Sequence, residues 1–178
     1  NVYYAVNKIN KSTGKHWFQK GRRTLAFLPL AHAFGCAFDF LAPLAAGGHI
    51  NLLGKMPTPK VLVEAMRKVQ PSIICSVPLV LEKVYRKQIA PMLEKGPLSI
   101  AMKVPLVNEI VRSQIKAKML ESFGGNLEMF IVGGAPMNRE TEAFLKSIHF
   151  PIIVGYGMTE CAPLIGYSSW ETFRLGSC

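Results

Sequence analysis

Aspartate is almost absent from this chain: Asp39 is the only one in 178 residues. A triad oriented by aspartate, or a carboxylate-bridged pair of metal ions, has very little to draw on, so hydrolase chemistry of those kinds is disfavoured. No G-x-S-x-G elbow occurs to present a serine nucleophile. His16, His32, His49 and His149 do not stand at metal-ligand spacings. Cysteine is sparse as well. Cys36, Cys75, Cys161 and Cys178 form no C-x-x-C pair, and the first three lie in or beside apolar runs. They read as reduced thiols in or near a core, which favours a reducing, cytosolic setting.

Acidic side chains are missing from residues 1–38, which carry Lys8, Lys11, Lys15, Lys20, Arg22 and Arg23. An uninterrupted membrane-spanning run is missing too. Residues 25–46 approach the roughly 20 positions needed to cross a bilayer, but Pro29, His32, Asp39 and Pro43 break them up. An ionised aspartate near the centre of a lone span costs roughly 3 kcal/mol, so no transmembrane segment is expected. There is no signal-peptide pattern, and Asn1 in place of methionine points to a piece of something longer.

The composition, 49% hydrophobic and 18% charged, gives enough apolar material for one sizeable core and is too apolar for disorder. A single unit over 1–178 is expected, with residues 1–23 as a helix and basic loop ahead of an α/β core over 24–178. The net charge of +10 comes from 21 basic against 11 acidic side chains. Such a surface draws anions: nucleic acid, an anionic membrane, or the phosphates of a nucleotide. No zinc-knuckle, RNP or helix-turn-helix pattern supports nucleic acid, and residues 10–23 show no amphipathic period. They read as a solvated, mobile loop, and a peripheral membrane contact stays open. Ser12-Thr13-Gly14-Lys15 is a decoy, because a phosphate loop also needs an upstream glycine between a strand and a helix.

Along the chain, residues 2–9 are a helix candidate, 25–28 a strand, 33–46 a buried helix and 49–53 a strand. Thr58 followed by Pro59 opens a helix with Val61, Leu62, Ala65, Met66 and Val69 on one face, and Pro71 stops it. Residues 73–76 read as a strand, and Pro78 starts a helix through 89 with Pro91 beyond its end. Residues 98–123 read as helix around an interruption at Pro105, closed by Gly124-Gly125. A strand over 129–132, a helix capped by Asn138 to about 148, and a last strand over 152–154 complete the pattern. Short strands alternating with longer helices predict an α/β fold with a mostly parallel sheet, flanked by helices on both faces.

Two short segments carry the chemistry. Gly133-Gly134-Ala135-Pro136 and Gly155-Tyr156-Gly157-Met158-Thr159-Glu160 each follow an apolar run that reads as a buried strand. Parallel strands ending side by side would bring bare backbone, an aromatic ring, a hydroxyl and a carboxylate to the carboxyl edge, where open α/β sheets bind ligands. Such a crevice suits a nucleotide. The glycines admit a flat base, Tyr156 can stack on it, Thr159 can donate to a phosphate oxygen, and Glu160 can hold a hard divalent ion.

These residues resemble the adenylation signature of the AMP-forming acyl-CoA synthetase family. Leu28-Pro29-Leu30-Ala31-His32-Ala33-Phe34-Gly35 is similar to the family's second signature, whose histidine or aromatic lies near the acyl carboxylate. Pro71-Ser72-Ile73-Ile74-Cys75-Ser76-Val77-Pro78, followed by Leu81-Glu82-Lys83-Val84-Tyr85, resembles the long-chain fatty acyl branch; Leu79 departs from it, where arginine is common. The resemblance covers essentially the whole chain as a central fragment of the family's large N-terminal domain. The family's phosphate loop would precede Asn1, and its ribose-binding aspartate, hinge and small domain with a catalytic lysine would follow Cys178.

The resemblance implies a ligase that activates a long-chain fatty acid with ATP as acyl-adenylate and passes it to coenzyme A, the fragment alone being inactive. Gly133, Gly134, Ala135, Pro136, Tyr156, Gly157, Met158 and Thr159 would bind the nucleotide. Thr159, Glu160 and His32 would be catalytic, with Glu160 holding the Mg2+ that accompanies ATP. Phe34, Phe38, Val77, Gly155 and Pro163 would wall the acyl pocket, a glycine at 155 leaving room for the chain. The thiols favour a cytoplasmic protein, with a peripheral membrane contact left open. A medium-chain or aryl acid ligase is the near alternative, and a noncatalytic nucleotide- or acyl-binding α/β module is the alternative of another class.

Overall fold

The computed structural model describes residues 1–8, 14–94, 105–172 and 174–176. Six strands form one sheet in the order β2-β1-β3-β4-β5-β6: β1 is Arg23–Ala26, β2 His49–Leu52, β3 Ile73–Ser76, β4 Met129–Val132, β5 Ile152–Gly157 and β6 Leu164–Ser169. The first five run parallel, and β6 returns antiparallel beside β5. Side-chain alternation splits the central strands between two layers. Ile74, Phe130, Val132, Ile152 and Val154 pack under helices α3 (Pro59–Val69), α4 (Pro78–Val84), α6 (Pro105–Ser122) and α7 (Arg139–Ser147). Ile73, Cys75, Met129, Ile131 and Ile153 face α1 (Val2–Asn7) and the helical segment after β1. Burial on both faces is why these strands read as continuous apolar runs.

Local signals account for most helix ends. Thr58 accepts a hydrogen bond from the Val61 amide at 3.4 Å, Pro59 occupies the first turn of α3, and Leu62 and Met66 carry its buried face. Two prolines behave otherwise. The helix opened by Pro78 does not stop before Pro91: it widens to a π-helical stretch, Tyr85–Ile89, and continues as α5 (Ala90–Glu94). The helix after β1 does the same, with a π-helical Gly35–Leu41 leading into α2 (Ala42–Ala45) and Pro43. In both, the amide of the alanine before proline bonds five residues back, to Tyr85 or Ala37. The wider turn accommodates a ring that would strike a carbonyl in a regular α-helix. Pro105 is the first residue of α6; the expected helical residues 98–104 before it lie outside the described residues.

The last expected strand, 152–154, runs on to Gly157, and β6 was not anticipated. Gly155, Tyr156 and Gly157 offer no apolar alternation, and β6 has one neighbour and no fully buried residue, so neither shows a buried-strand pattern. Cys75 is buried, Cys36 partly so, but Cys161 is exposed. No helix among the described residues is long and apolar enough to cross a membrane.

Within the described residues 14–23, the basic stretch is not the wholly solvated loop that its composition implied. Trp17 and Phe18 are buried at 3% and 2% exposure, and Arg22 is buried with its guanidinium donating to the Trp17 carbonyl and to Glu128 at 2.7 Å. We expect Arg22→Gln to lower unfolding free energy by about 2 kcal/mol. That is less than the roughly 3–5 kcal/mol for breaking a fully buried pair, because Glu128 is itself 40% exposed. Lys15→Gln, Lys20→Gln and Arg23→Gln should each stay within about 0.5 kcal/mol. Urea unfolding of the four variants checks this, and equal small effects would restore the loop reading.

Asp39 is buried in the π-helical segment, where it accepts from the Leu28 amide at 3.4 Å at the end of β1. Burial raises its carboxyl to about 7, against the opposing pull of the Cys75 thiol and the Leu28 and Phe27 amides. The folded protein therefore keeps this proton up to about pH 7, whereas the unfolded chain releases it near 3.8. Between those values the folded state binds more protons, so Asp39 makes stability fall as pH rises through that window. Asp39→Asn keeps an acceptor for Leu28 and should flatten that slope between pH 4 and 7 in denaturant midpoints. An identical slope in the variant would assign the pH dependence to other groups.

Candidate active site

β4 and β5 pair in register, Ile131 with Ile153 and Val132 with Val154, so the segments that follow them emerge together. A Cβ on Gly133 would stand 3.4 Å from the Gly155 carbonyl, and Gly134 has φ of 84°, a backbone that side chains rarely adopt. The loop is tied from beyond the sheet: Glu82 of α4 accepts from the Asn138 amide at 2.8 Å, and the Tyr85 hydroxyl donates to Glu140 at 3.1 Å. Asn138 caps α7 through the Glu140 and Thr141 amides. The Leu81–Tyr85 block noted in the sequence thus anchors the far end of the glycine loop.

The second segment is part strand and part turn. Gly155, Tyr156 and Gly157 pair with Tyr167, Gly166 and Leu164 of β6, and Tyr156 is 52% exposed. A 3-10 turn, Thr159–Cys161, then reverses the chain. The Met158 amide donates to the Pro163 carbonyl at 2.9 Å, and Ala162 sits at φ of 61°. The Asn1 side chain spans the turn, donating to the Cys161 carbonyl at 3.0 Å and accepting from the Leu164 amide at 2.9 Å.

Between these segments opens a cavity of about 180 Å³. His32, Phe34, Phe38, Gly133, Gly134, Gly155, Tyr156, Gly157, Met158, Thr159 and Pro163 all line it, which gathers most of the residues singled out in the sequence. His32 is exposed, and its Nδ1 accepts from the Phe34 amide at 3.2 Å. The proton of the neutral ring is then on Nε2, able to donate to an acceptor in the cavity. Ala135, Pro136, Val77 and Glu160 are not part of the lining. Val77 lies behind the loop, its Cγ1 3.9 Å from where a Cβ on Gly134 would be, so it backs the glycines and does not wall the cavity.

Glu160 is exposed on the turn next to Thr159 and has no ion-pair partner among the described residues. No cluster of three or more metal-ligating side chains occurs among the described residues. One exposed carboxylate beside a hydroxyl fits a magnesium ion that takes most of its ligands from phosphate and water. It does not fit a cage built from protein alone.

The description "AMP-binding enzyme" fits residues 1–178 as a whole. The chain belongs to that family. It is 26% identical to the long-chain-fatty-acid-CoA ligase ACSBG2 of Gallus gallus, over 90% of this chain and 24% of that protein. It is 31% identical to long-chain-fatty-acid-CoA ligase 2 of Schizosaccharomyces pombe, over 91% of this chain and 26% of that protein. Its fold is similar to that of an anthranilate CoA ligase solved with anthranoyl-AMP: TM-score 0.61, 16% identity, 98% of this chain and 27% of that one. The chain therefore spans about a quarter of the length of the curated relatives it matches.

Sequence reasoning missed five residues that line the cavity: Trp17, Ile131, Ile153, Leu164 and Tyr167. Ile131 and Ile153 were legible as strand residues, but their shared face is fixed only by the register of β4 on β5. Trp17 lies in a polar stretch with nothing local to mark it as buried, and Tyr167 belongs to the strand that the pattern did not show.

Proposed function

We propose that this chain supplies one wall of the site at which an AMP-forming ligase activates a long-chain fatty acid with ATP and passes it to coenzyme A. One observation carries this reading. The glycine loop after β4 and the Tyr156–Thr159 segment stand together at the mouth of an apolar cavity, so a nucleotide and a fatty acid would meet there. The names of the relatives at 26% and 31% identity support the choice of acid.

The acid's carboxylate attacks the α-phosphorus of ATP, giving acyl-adenylate and pyrophosphate. The coenzyme A thiol then attacks the acyl carbon, AMP leaves, and the thiol proton goes to solvent. The chain's contribution is to bind and orient. Gly133, Gly134, Ala135 and Pro136 give the base a flat bed, Tyr156 stacks on it, and Gly157 and Met158 carry the backbone past it. The Thr159 hydroxyl donates to an α-phosphate oxygen. His32 Nε2 orients the acid carboxylate at the boundary between the polar mouth and the apolar interior made by Phe34, Phe38, Gly155 and Pro163. Glu160 would hold the magnesium ion, which when bound neutralises charge on the phosphate oxygens. The apolar walls keep water from the mixed anhydride.

The small, aromatic cavity favours a second reading, an aryl or medium-chain acid. Acid-dependent release of AMP and pyrophosphate by the full-length protein, compared across oleate, octanoate and benzoate, tests both. We expect turnover with oleate and none by the isolated chain, which has a single wall of the site. Nucleotide binding without turnover on any acid would replace the ligase by a noncatalytic binding module.

A further inference from the structure

The cavity's two ends differ in character. Tyr156, Met158 and Thr159 at the mouth are exposed. At the other end the indole of Trp17, 3% exposed, stands edge-on to the Tyr167 ring, with centroids 4.6 Å apart and planes at 84°. Gly155 lines the cavity as well. It pairs directly with Tyr167 across the β5–β6 hairpin, so both residues belong to one face of the sheet. A Cβ at 155 would stand 3.1 Å from Leu164 Cδ1, so the missing side chain accommodates Leu164 on the face shared with the Tyr167 ring. That ring is held from behind: its hydroxyl is 3.1 Å from the Tyr4 hydroxyl, and the Lys8 ammonium stands 5.4 and 5.5 Å from the Tyr4 and Tyr167 centroids. Tyr4 is 45% exposed, so solvent lies beyond this backing.

Resting on the ligase reading above, we infer that Trp17 against Tyr167 is the floor of the acid site and sets the length of acid that the enzyme takes. An acyl chain extended past Gly155 meets the indole. Each further methylene must displace a buried ring or stay in water, whereas a smaller residue at 17 or 167 opens room beyond the present floor.

The test uses the full-length protein, saturated acids of graded length, and acid-dependent pyrophosphate release. Trp17→Leu and Trp17→Ala should shift the optimum to longer acids. Relative to the original optimum, kcat/KM for the longer acids should rise by about tenfold, the discrimination that one methylene commands in an apolar pocket, with KM for ATP unchanged. Tyr167 is half-buried on an edge strand, so Tyr167→Ala should give the same shift even where a Trp17 variant does not fold. An unchanged chain-length profile in folded variants overturns the floor, and so does a raised KM for ATP with no change in profile. Failure of the unsubstituted protein to release pyrophosphate with any acid overturns the ligase reading instead.

Discussion

Glu160→Gln in the full-length protein should slow acyl-adenylate formation by about 10²–10³-fold, the loss typical of removing one preorganised electrostatic contact at a developing charge, and leave ATP affinity nearly unchanged. The side chain is exposed on a three-residue turn, it does not line the cavity, and no cation pairs with it among the described residues. Nothing in the fold depends on its charge, so a glutamine of the same shape leaves the turn in place. What the substitution removes is a hard anionic oxygen beside Thr159, where the α-phosphate would gain charge as the acid attacks. An interaction that strengthens only as charge develops lowers the rate without lowering ground-state binding. Single-turnover adenylate formation and equilibrium ATP titration separate the two. Equal losses in both, or none in either, would remove Glu160 from the chemistry.

The second large effect is structural. Gly157→Ala should cost about 3 kcal/mol or more, within the range of severe single substitutions, because its Cβ would collide with the Pro163 carbonyl oxygen. That oxygen cannot retreat freely, since it accepts the Met158 amide at 2.9 Å and closes the turn that carries Thr159 and Glu160. Gly166 is the control. It lies across the same hairpin, opposite Tyr156, and a Cβ there would meet nothing within 4 Å. Gly166→Ala should therefore stay within about 0.5 kcal/mol. Guanidinium unfolding of the two variants gives the comparison, and a mild Gly157→Ala would show that the hairpin yields more readily than its backbone contacts indicate.

The two glycine segments illustrate how much was legible in the chain. Gly133 and Gly155 lie at the ends of apolar runs, and a sheet buried on both faces leaves few other places for such runs, so their meeting at one edge followed from pattern alone. Helix starts at Thr58 and Asn138 were equally local, because a cap acts within three residues of itself. Pro91 misled, since the helix expected to end before it runs on, whereas Pro43 lies inside the helix expected over 33–46. At Pro43 and Pro91 a widened turn accommodates the ring, and no residue nearby announces it.

The sequence by itself determined the layered α/β class, the glycine loop and the run from Tyr156 to Glu160, because buried strands, caps and glycine turns act over a few neighbouring residues. The tertiary structure alone decided which side chains close the cavity. Trp17 and Tyr167 lie far apart in the chain and meet in a T-shaped contact. One belongs to a basic stretch and the other to an edge strand. Arg22 reads as one more surface cation until Glu128, immediately before β4, pairs with it. Burial of a polar or isolated aromatic residue is a property of what the fold brings to it, and the register between distant strands sets that.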